Sequence, residues 1–219
     1  MGRLGHVGSS LLLKRELFPK GFAGEVMQHI YETWYSFSLN HKVRLETRIT
    51  AVFRNALIEA YEAAGRNWVI KLEDPVTDPE FGTEEGRNDL NFFPPRHYGQ
   101  KVFFTVECKR LHVTRKSGFV DLAGAYVQKG VQRFVDGQYS IGLPCGGMVG
   151  YVMDNQMATA FSKVQDEIVK RSTSLYIPKQ HPLKTPSVTL PNCEFSADTV
   201  HVRSDGDFIL HHVLLGVCN

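Results

Sequence analysis

The stretch from Val102 to Lys109 constrains the chain most. Its residues alternate, with Val102, Phe104, Val106 and Cys108 on one face of an extended strand and Thr105, Glu107 and Lys109 on the other. Such a strand needs a sheet with a core on one side, and on the other it presents a carboxylate beside an amine. The surrounding pattern supplies the sheet. Trp68–Leu72, Asn88–Phe93 and Lys101–Leu111 read as strands of an antiparallel meander, with an acidic loop expected over 73–86 and a turn at Pro94-Pro95. Met148–Met153 reads as a buried strand, and Thr199–Arg203 and Asp207–Val217 as a hairpin around Asp205-Gly206.

Helical spacing fills the intervals. A first helix is expected from about Gly24 to Phe37. A second carries Leu45, Ile49, Val52, Phe53, Ala56, Leu57, Ala60 and Tyr61 at helical intervals until Gly65 offers a stop. Leu122–Val135 reads as a third. Met157, Ala160, Phe161, Val164 and Ile168 form the apolar face of a fourth. Between Ser172 and Ser196, prolines at 178, 182, 186 and 191 predict an irregular connection, long enough to be a functional loop. The order of elements gives an α/β (α+β) fold, a mixed sheet covered by helices, in a single domain over 1–219.

Composition removes several alternatives. At 219 residues and 42% hydrophobic content, the chain can bury a core without cross-links. Cys108, Cys145, Cys193 and Cys218 form no CxxC pair, so they read as reduced thiols rather than as a zinc or redox motif. A net charge of +2 leaves no dominant far field, and any nucleic-acid site must be a local patch. The early apolar run Leu11–Leu13 is too short for a signal-peptide core or a membrane span, so a soluble, cytoplasmic protein with no membrane partner is expected. The nine histidines, including His97, His112, His181, His201, His211 and His212, show no compact ligand spacing and read as loop or strand residues. Ser9-Ser10, Ser140 and Ser172 lack a nucleophile elbow, and 142–150 holds neither a Walker lysine nor GxGxxG.

What remains is the polar face of the Val102–Lys109 strand. Asp89 lies on a neighbouring strand, and the meander can bring its carboxylate close to Glu107. Two converging carboxylates repel unless a cation lies between them, and hard oxygen ligands suit Mg²⁺ or Mn²⁺. Lys109 beside such a cation can orient an attacking water. Glu46, at the margin of the second helix's apolar face, either joins this site or stabilises the helix N-terminus. Downstream, Lys109, Arg110, Arg115 and Lys116 make the most basic stretch of the chain, suited to phosphate contacts. Gln128, Lys129, Gln132 and Arg133 include i, i+4 pairs of one polar stripe on the next helix, either a nucleic-acid contact or an ordinary solvent face.

Asn88-Asp89, a spacer, and an apolar run ending in Glu107-Cys108-Lys109 resemble the PD-(D/E)xK nuclease superfamily. Asn88 stands where that family's named proline does. The element order from about Arg44 to Arg171 is similar to the family core, with the hairpin of about 198–217 outside it. The resemblance implies a restriction-endonuclease-like mixed sheet flanked by helices. It implies Asp89, Glu107 and the Cys108 backbone carbonyl as ligands of Mg²⁺ or Mn²⁺, Lys109 as catalytic lysine, Glu46 as the acidic residue completing the metal site, and Gln128 as an auxiliary polar group. A metal-dependent nuclease acting on DNA follows, a component of restriction, repair or phage defence. The chemistry acts on phosphate and so applies to RNA as well. The chain's size suggests a homodimer or a partner protein that supplies targeting. The alternative is a non-catalytic nucleic-acid or protein interaction module on the same fold.

Overall fold

The computed structural model describes residues 13–66, 68–77, 84–95, 102–180 and 183–217, with the backbone alone described for 73–77 and 84–88. His97, Lys101, His181, Cys218 and the centre of the expected acidic loop lie outside these residues. Helices α1 (Phe22–Ser36) and α2 (Glu46–Ala63) come first. Strands β1 (Val69–Thr77), β2 (Glu84–Phe93) and β3 (Phe104–Leu111) follow, then a small hairpin of β4 (Val113–Arg115) and β5 (Gly118–Val120). Helix α3 joins α-helical Ala123–Tyr126, a π-helical turn Val127–Val131 and α-helical Gln132–Val135. Strand β6 (Cys145–Val152), helix α4 (Met157–Lys170) and strands β7 (Ser196–Arg203) and β8 (Gly206–Gly216) complete the set.

Six strands form one mixed sheet in the order β1-β2-β3-β6-β8-β7. The meander β1-β2-β3 and the hairpin β7-β8 are antiparallel, whereas β3-β6 and β6-β8 are parallel. Every residue of β6 is buried, because helices cover both faces of a parallel centre. Its alternation divides the core. Val149 and Tyr151 pack with Val26, Ile30, Ile49, Phe53 and Leu57 of α1 and α2, while Met148 and Val152 pack with Tyr126, Val131, Phe134, Ala160 and Val164 of α3 and α4. Among the described residues no helix is long and apolar enough to cross a membrane.

One expectation needs correction. The acidic segment 73–86 is not a loop throughout: β1 runs on to Thr77 and β2 begins at Glu84, with Asp74 paired to Asn88 and Pro75 to Arg87. Cross-strand pairing supplies the hydrogen bonds that composition alone made look improbable, and Pro75 is tolerated because β1 is an edge strand. The segment 172–196 is irregular as expected, but it is anchored. Leu175, Leu190 and Cys193 are buried, and Lys184 bridges to Asp198 on β7. It runs along β7, at the sheet edge opposite β1.

Candidate active site

Strands β2 and β3 pair through Phe92↔Phe104, Asn91↔Thr105 and Leu90↔Val106. One residue beyond, a side chain takes over from the backbone: the Cys108 N–H donates to Asp89 Oδ2 at 2.7 Å. Asp89 is thereby fixed beside the polar face of β3. On that face the Lys109 ammonium donates to Glu107 Oε1 at 2.6 Å, to the Cys108 carbonyl at 2.9 Å and to Glu46 Oε1 at 3.3 Å, and lies 3.9 Å from Asp89 Oδ2. Glu46 is the first residue of α2, and its other oxygen accepts the Arg110 N–H at 2.8 Å. Residues distant in sequence thus meet around one ammonium.

Helix α3 closes the inner side. Arg133 donates to Glu107 Oε1 at 3.2 Å and to the Tyr139 hydroxyl at 2.6 Å. Gly130, in the π-helical turn, lets the helix backbone approach β3 and β6; a Cβ there would lie 2.5 Å from Met148 Cε and 3.6 Å from Lys109 Cγ. Glu107 is 1% exposed, while the Asp89 and Glu46 side chains keep 22% and 29% of their surface, so the site opens on their side.

The electrostatics are unbalanced. Burial, and then the Asp89 charge, push Glu107 up to about 7 against the pull of Lys109 and Arg133. Burial likewise raises Asp89, with Lys109 and the Cys108 N–H opposing it. Burial works against the Lys109 ammonium, but Glu107, Asp89 and Glu46 outweigh it and hold the group above the ordinary lysine value. Glu107 Oε2 is buried with no hydrogen-bond partner. A buried carboxylate oxygen in that state costs free energy, and it is a site where a cation or donor would be favoured.

Among the described residues no group of three or more His, Cys, Asp and Glu side chains is arranged as a ready metal cage. The Lys109 ammonium lies among the carboxylates and satisfies part of their charge. The donor set nevertheless suits a hard divalent ion, since Asp89, Glu107, Glu46 and the Cys108 carbonyl all present oxygen and Glu107 Oε2 is left over.

The other expected site residues divide. Arg133 joins the centre, but as the ion-pair partner of Glu107 rather than as an outward stripe with Gln128 and Lys129, which are exposed. The π-helical turn carries one more residue per turn and re-aims whatever follows it, which plain helical spacing could not foresee. Arg110 is committed elsewhere, its guanidinium donating to the Arg44 carbonyl at 2.7 Å ahead of α2. Arg115 and Lys116 are exposed on the β4–β5 hairpin. Tyr139 was not foreseen; it follows the left-handed Gly137 (φ 73°), and no periodicity marks it.

A second polar cluster escaped sequence reading because its histidines lie on paired strands. Asp198 Oδ1 lies 2.7 Å from His211 Nδ1 and accepts the Ser187 hydroxyl at 2.5 Å, while Oδ2 accepts the Val188 N–H at 2.7 Å. The trio resembles a hydrolase set only in composition: the serine donates to the carboxylate and has no base beside it. Further in, the Leu175 carbonyl can only accept from His201 Nδ1, at 2.8 Å. That leaves His201 Nε2 to accept from Thr199 at 2.7 Å, Thr199 to accept from His212 Nε2 at 2.9 Å, and His212 Nδ1 to accept from Tyr126 at 3.1 Å. The chain is complete with both imidazoles neutral.

Compared with known proteins, the chain matches no family model, no curated protein and no solved structure.

Proposed function

We propose that the protein is a divalent-metal-dependent nuclease that hydrolyses DNA phosphodiester bonds on a PD-(D/E)xK, restriction-endonuclease-like core. The observation that carries this reading is the convergence of Asp89, Glu107, Glu46 and Lys109 at the point where β2 and β3 part, with Glu107 Oε2 buried and unpartnered. The element order supports it: α2, the meander β1-β2-β3, α3, a parallel β6, then α4.

Asp89, Glu107, Glu46 and the Cys108 carbonyl would hold Mg²⁺ or Mn²⁺, which when bound supplies a Lewis acid that polarises a phosphoryl oxygen and acidifies water. The chain's own part is positional. The three Nζ protons of Lys109 are taken by Glu107, Glu46 and the Cys108 carbonyl; with a cation holding those oxygens, Lys109 would be released to donate to a water or a phosphate oxygen on the open side of the site, and Arg133 fixes Glu107 from behind. The Asp89 bond to the Cys108 N–H sets the spacing between the two strands' carboxylates.

The test is cleavage of plasmid, linear and single-stranded DNA and of RNA with Mg²⁺ or Mn²⁺, comparing wild type with Asp89→Asn and Lys109→Ala. Asparagine retains an acceptor for the Cys108 N–H and removes the charge. Metal-dependent cutting of DNA that falls at least about a hundredfold in both variants is the expected result, in the range lost when one electrostatic group is removed from an active site. The second reading, an interaction module, is favoured by the way the Lys109 ammonium already occupies the space among the carboxylates and offsets part of their charge. It predicts no heat on calorimetric titration with Mn²⁺ and no cleavage by wild type.

A further inference from the structure

Between β3 and α3 the chain forms the β4–β5 hairpin, paired Val113↔Val120, Thr114↔Phe119 and Arg115↔Gly118, with Lys116 and Ser117 at its tip. Its base is fixed. His112 adopts a left-handed backbone (φ 54°), donates its N–H to the Asp121 carbonyl at 2.9 Å, and places a buried ring 3.0 Å from Asp154 Oδ1. On this base stands Phe119, 53% exposed, meeting the His112 ring at 5.0 Å. Lys163 of α4, itself paired with Asp121, lies 5.9 Å from the Phe119 ring centroid. Arg115 and Lys116 are exposed, and among the described residues neither forms an ion pair.

Single exposed apolar residues are ordinary on protein surfaces. Phe119 differs in its company: Lys163 lies beside its ring, Lys116 stands at the tip of the same hairpin and Arg115 projects from the hairpin's other face, and the hairpin is continuous with the strand that carries Glu107 and Lys109. Cations alone would hold the phosphates of any nucleic acid, whether its strands are paired or not. An aromatic face adds a contact that only an unstacked base can make, because in a duplex each base face is already covered by its neighbours.

We infer that the β4–β5 hairpin is a binding arm for single-stranded DNA leading to the site, on which Phe119 stacks a base while Arg115 and Lys116 hold the adjoining phosphates. The inference rests on the nuclease reading and narrows its substrate to DNA with an unpaired segment. The distances suit it. Thr114, opposite Phe119, is five residues beyond Lys109, at most roughly 17 Å of chain and less where the left-handed His112 bends it, so one short unpaired segment can reach both.

The test is binding of labelled oligo(dT), a blunt DNA duplex of the same length and the matching single-stranded RNA, followed by fluorescence anisotropy in EDTA across a salt series. Wild type is expected to prefer oligo(dT) over the duplex. Phe119→Leu, which keeps the apolar volume without the aromatic face, weakens oligo(dT) binding roughly tenfold, and Phe119→Tyr restores it. Arg115→Ala and Lys116→Ala each lower the slope of log affinity against log salt by about 0.7. Equal binding of oligo(dT) and duplex, tighter binding of the RNA, or a Phe119→Leu protein that binds like wild type overturns the inference. Cleavage lost in Lys109→Ala beside equal single-strand and duplex binding retains the nuclease and removes the arm. A Phe119-dependent preference for oligo(dT) in a protein that cuts nothing retains the arm and removes the nuclease.

Discussion

At the β7 edge Asp198 is met by the Ser187 hydroxyl, the Val188 N–H and His211, which together hold its carboxyl below the ordinary range against the pull of burial. Between β2 and β3, Glu107 is buried and Asp89 half-buried, yet both are raised, and Glu107 retains an oxygen with no partner. The two regions share a sheet and the same kind of side chain. They differ in whether the fold completes the hydrogen bonds. A satisfied carboxylate holds structure together, whereas an unsatisfied one costs stability and remains available to a cation or a substrate.

The largest effect expected is at the satisfied end. Asp198→Ala leaves the Ser187 hydroxyl, the Val188 N–H and His211 without their acceptor, and should lower unfolding free energy by about 3–5 kcal/mol in chemical denaturation. A loss no larger than that of an exposed substitution would erase the distinction between the regions.

Glycines sharpen the same contrast. A Cβ at Gly146 would meet the Phe134 ring at 2.7 Å and Phe208 at 3.2 Å, rigid aromatic neighbours, so Gly146→Ala should cost about 1–3 kcal/mol. At Gly130 the nearest atom is the terminal methyl of Met148, which can swing aside, and alanine is the better helix former. Gly130→Ala should therefore change stability by less than about 1 kcal/mol in the same assay.

Acidity separates the regions by sign. Burial lowers His201 to about 4 and, with His201 beside it, His212 to about 3, from an ordinary 6.5. The unfolded chain binds protons on these imidazoles below pH 6.5 while the folded chain does not, so stability falls with decreasing pH through that window, by on the order of 1 kcal/mol per pH unit for each. Glu107 acts oppositely. Its folded value of about 7 exceeds the ordinary 4.5, so its protonated form stabilises the fold below 4.5 and that contribution is lost as pH rises to about 7. From pH 4.5 to 6.5 the two imidazoles outweigh the one carboxylate, so denaturation measured in EDTA should show stability rising to a maximum near pH 6.5 and falling toward 7; a flat profile would contradict these assignments.

The smallest effect concerns Glu107 itself. At pH 8, Glu107→Gln should leave stability within about 1 kcal/mol of wild type or raise it, because the charge it removes is the one the fold disfavours. A loss matching that of Asp198→Ala would mean that Glu107 is a structural ion-pair residue.

Much of this architecture was legible in local pattern. The helical spacing from Leu45 to Tyr61, the alternation from Val102 to Cys108 and the turn dipeptide Asp205-Gly206 each specify an element, because side-chain periodicity reports which face is covered. Local pattern failed where partners are remote. The β1–β2 pairing runs through a segment whose composition signals a loop, and the His201–Thr199–His212 chain depends on strand register and on the Leu175 carbonyl.

The same boundary runs through the site. Sequence alone determined that Glu107 and Lys109 share a face, because two-residue periodicity is a property of any extended strand. It also made Asp89 and Glu46 eligible by type and position. Only the tertiary structure decided that Asp89 bridges to the Cys108 N–H where the strands part, that Arg133 turns inward after the π-helical turn, and that one oxygen of Glu107 is left buried and unpaired. Those outcomes depend on how separate elements settle against one another, and no local pattern encodes the distance between groups that meet only in the folded chain.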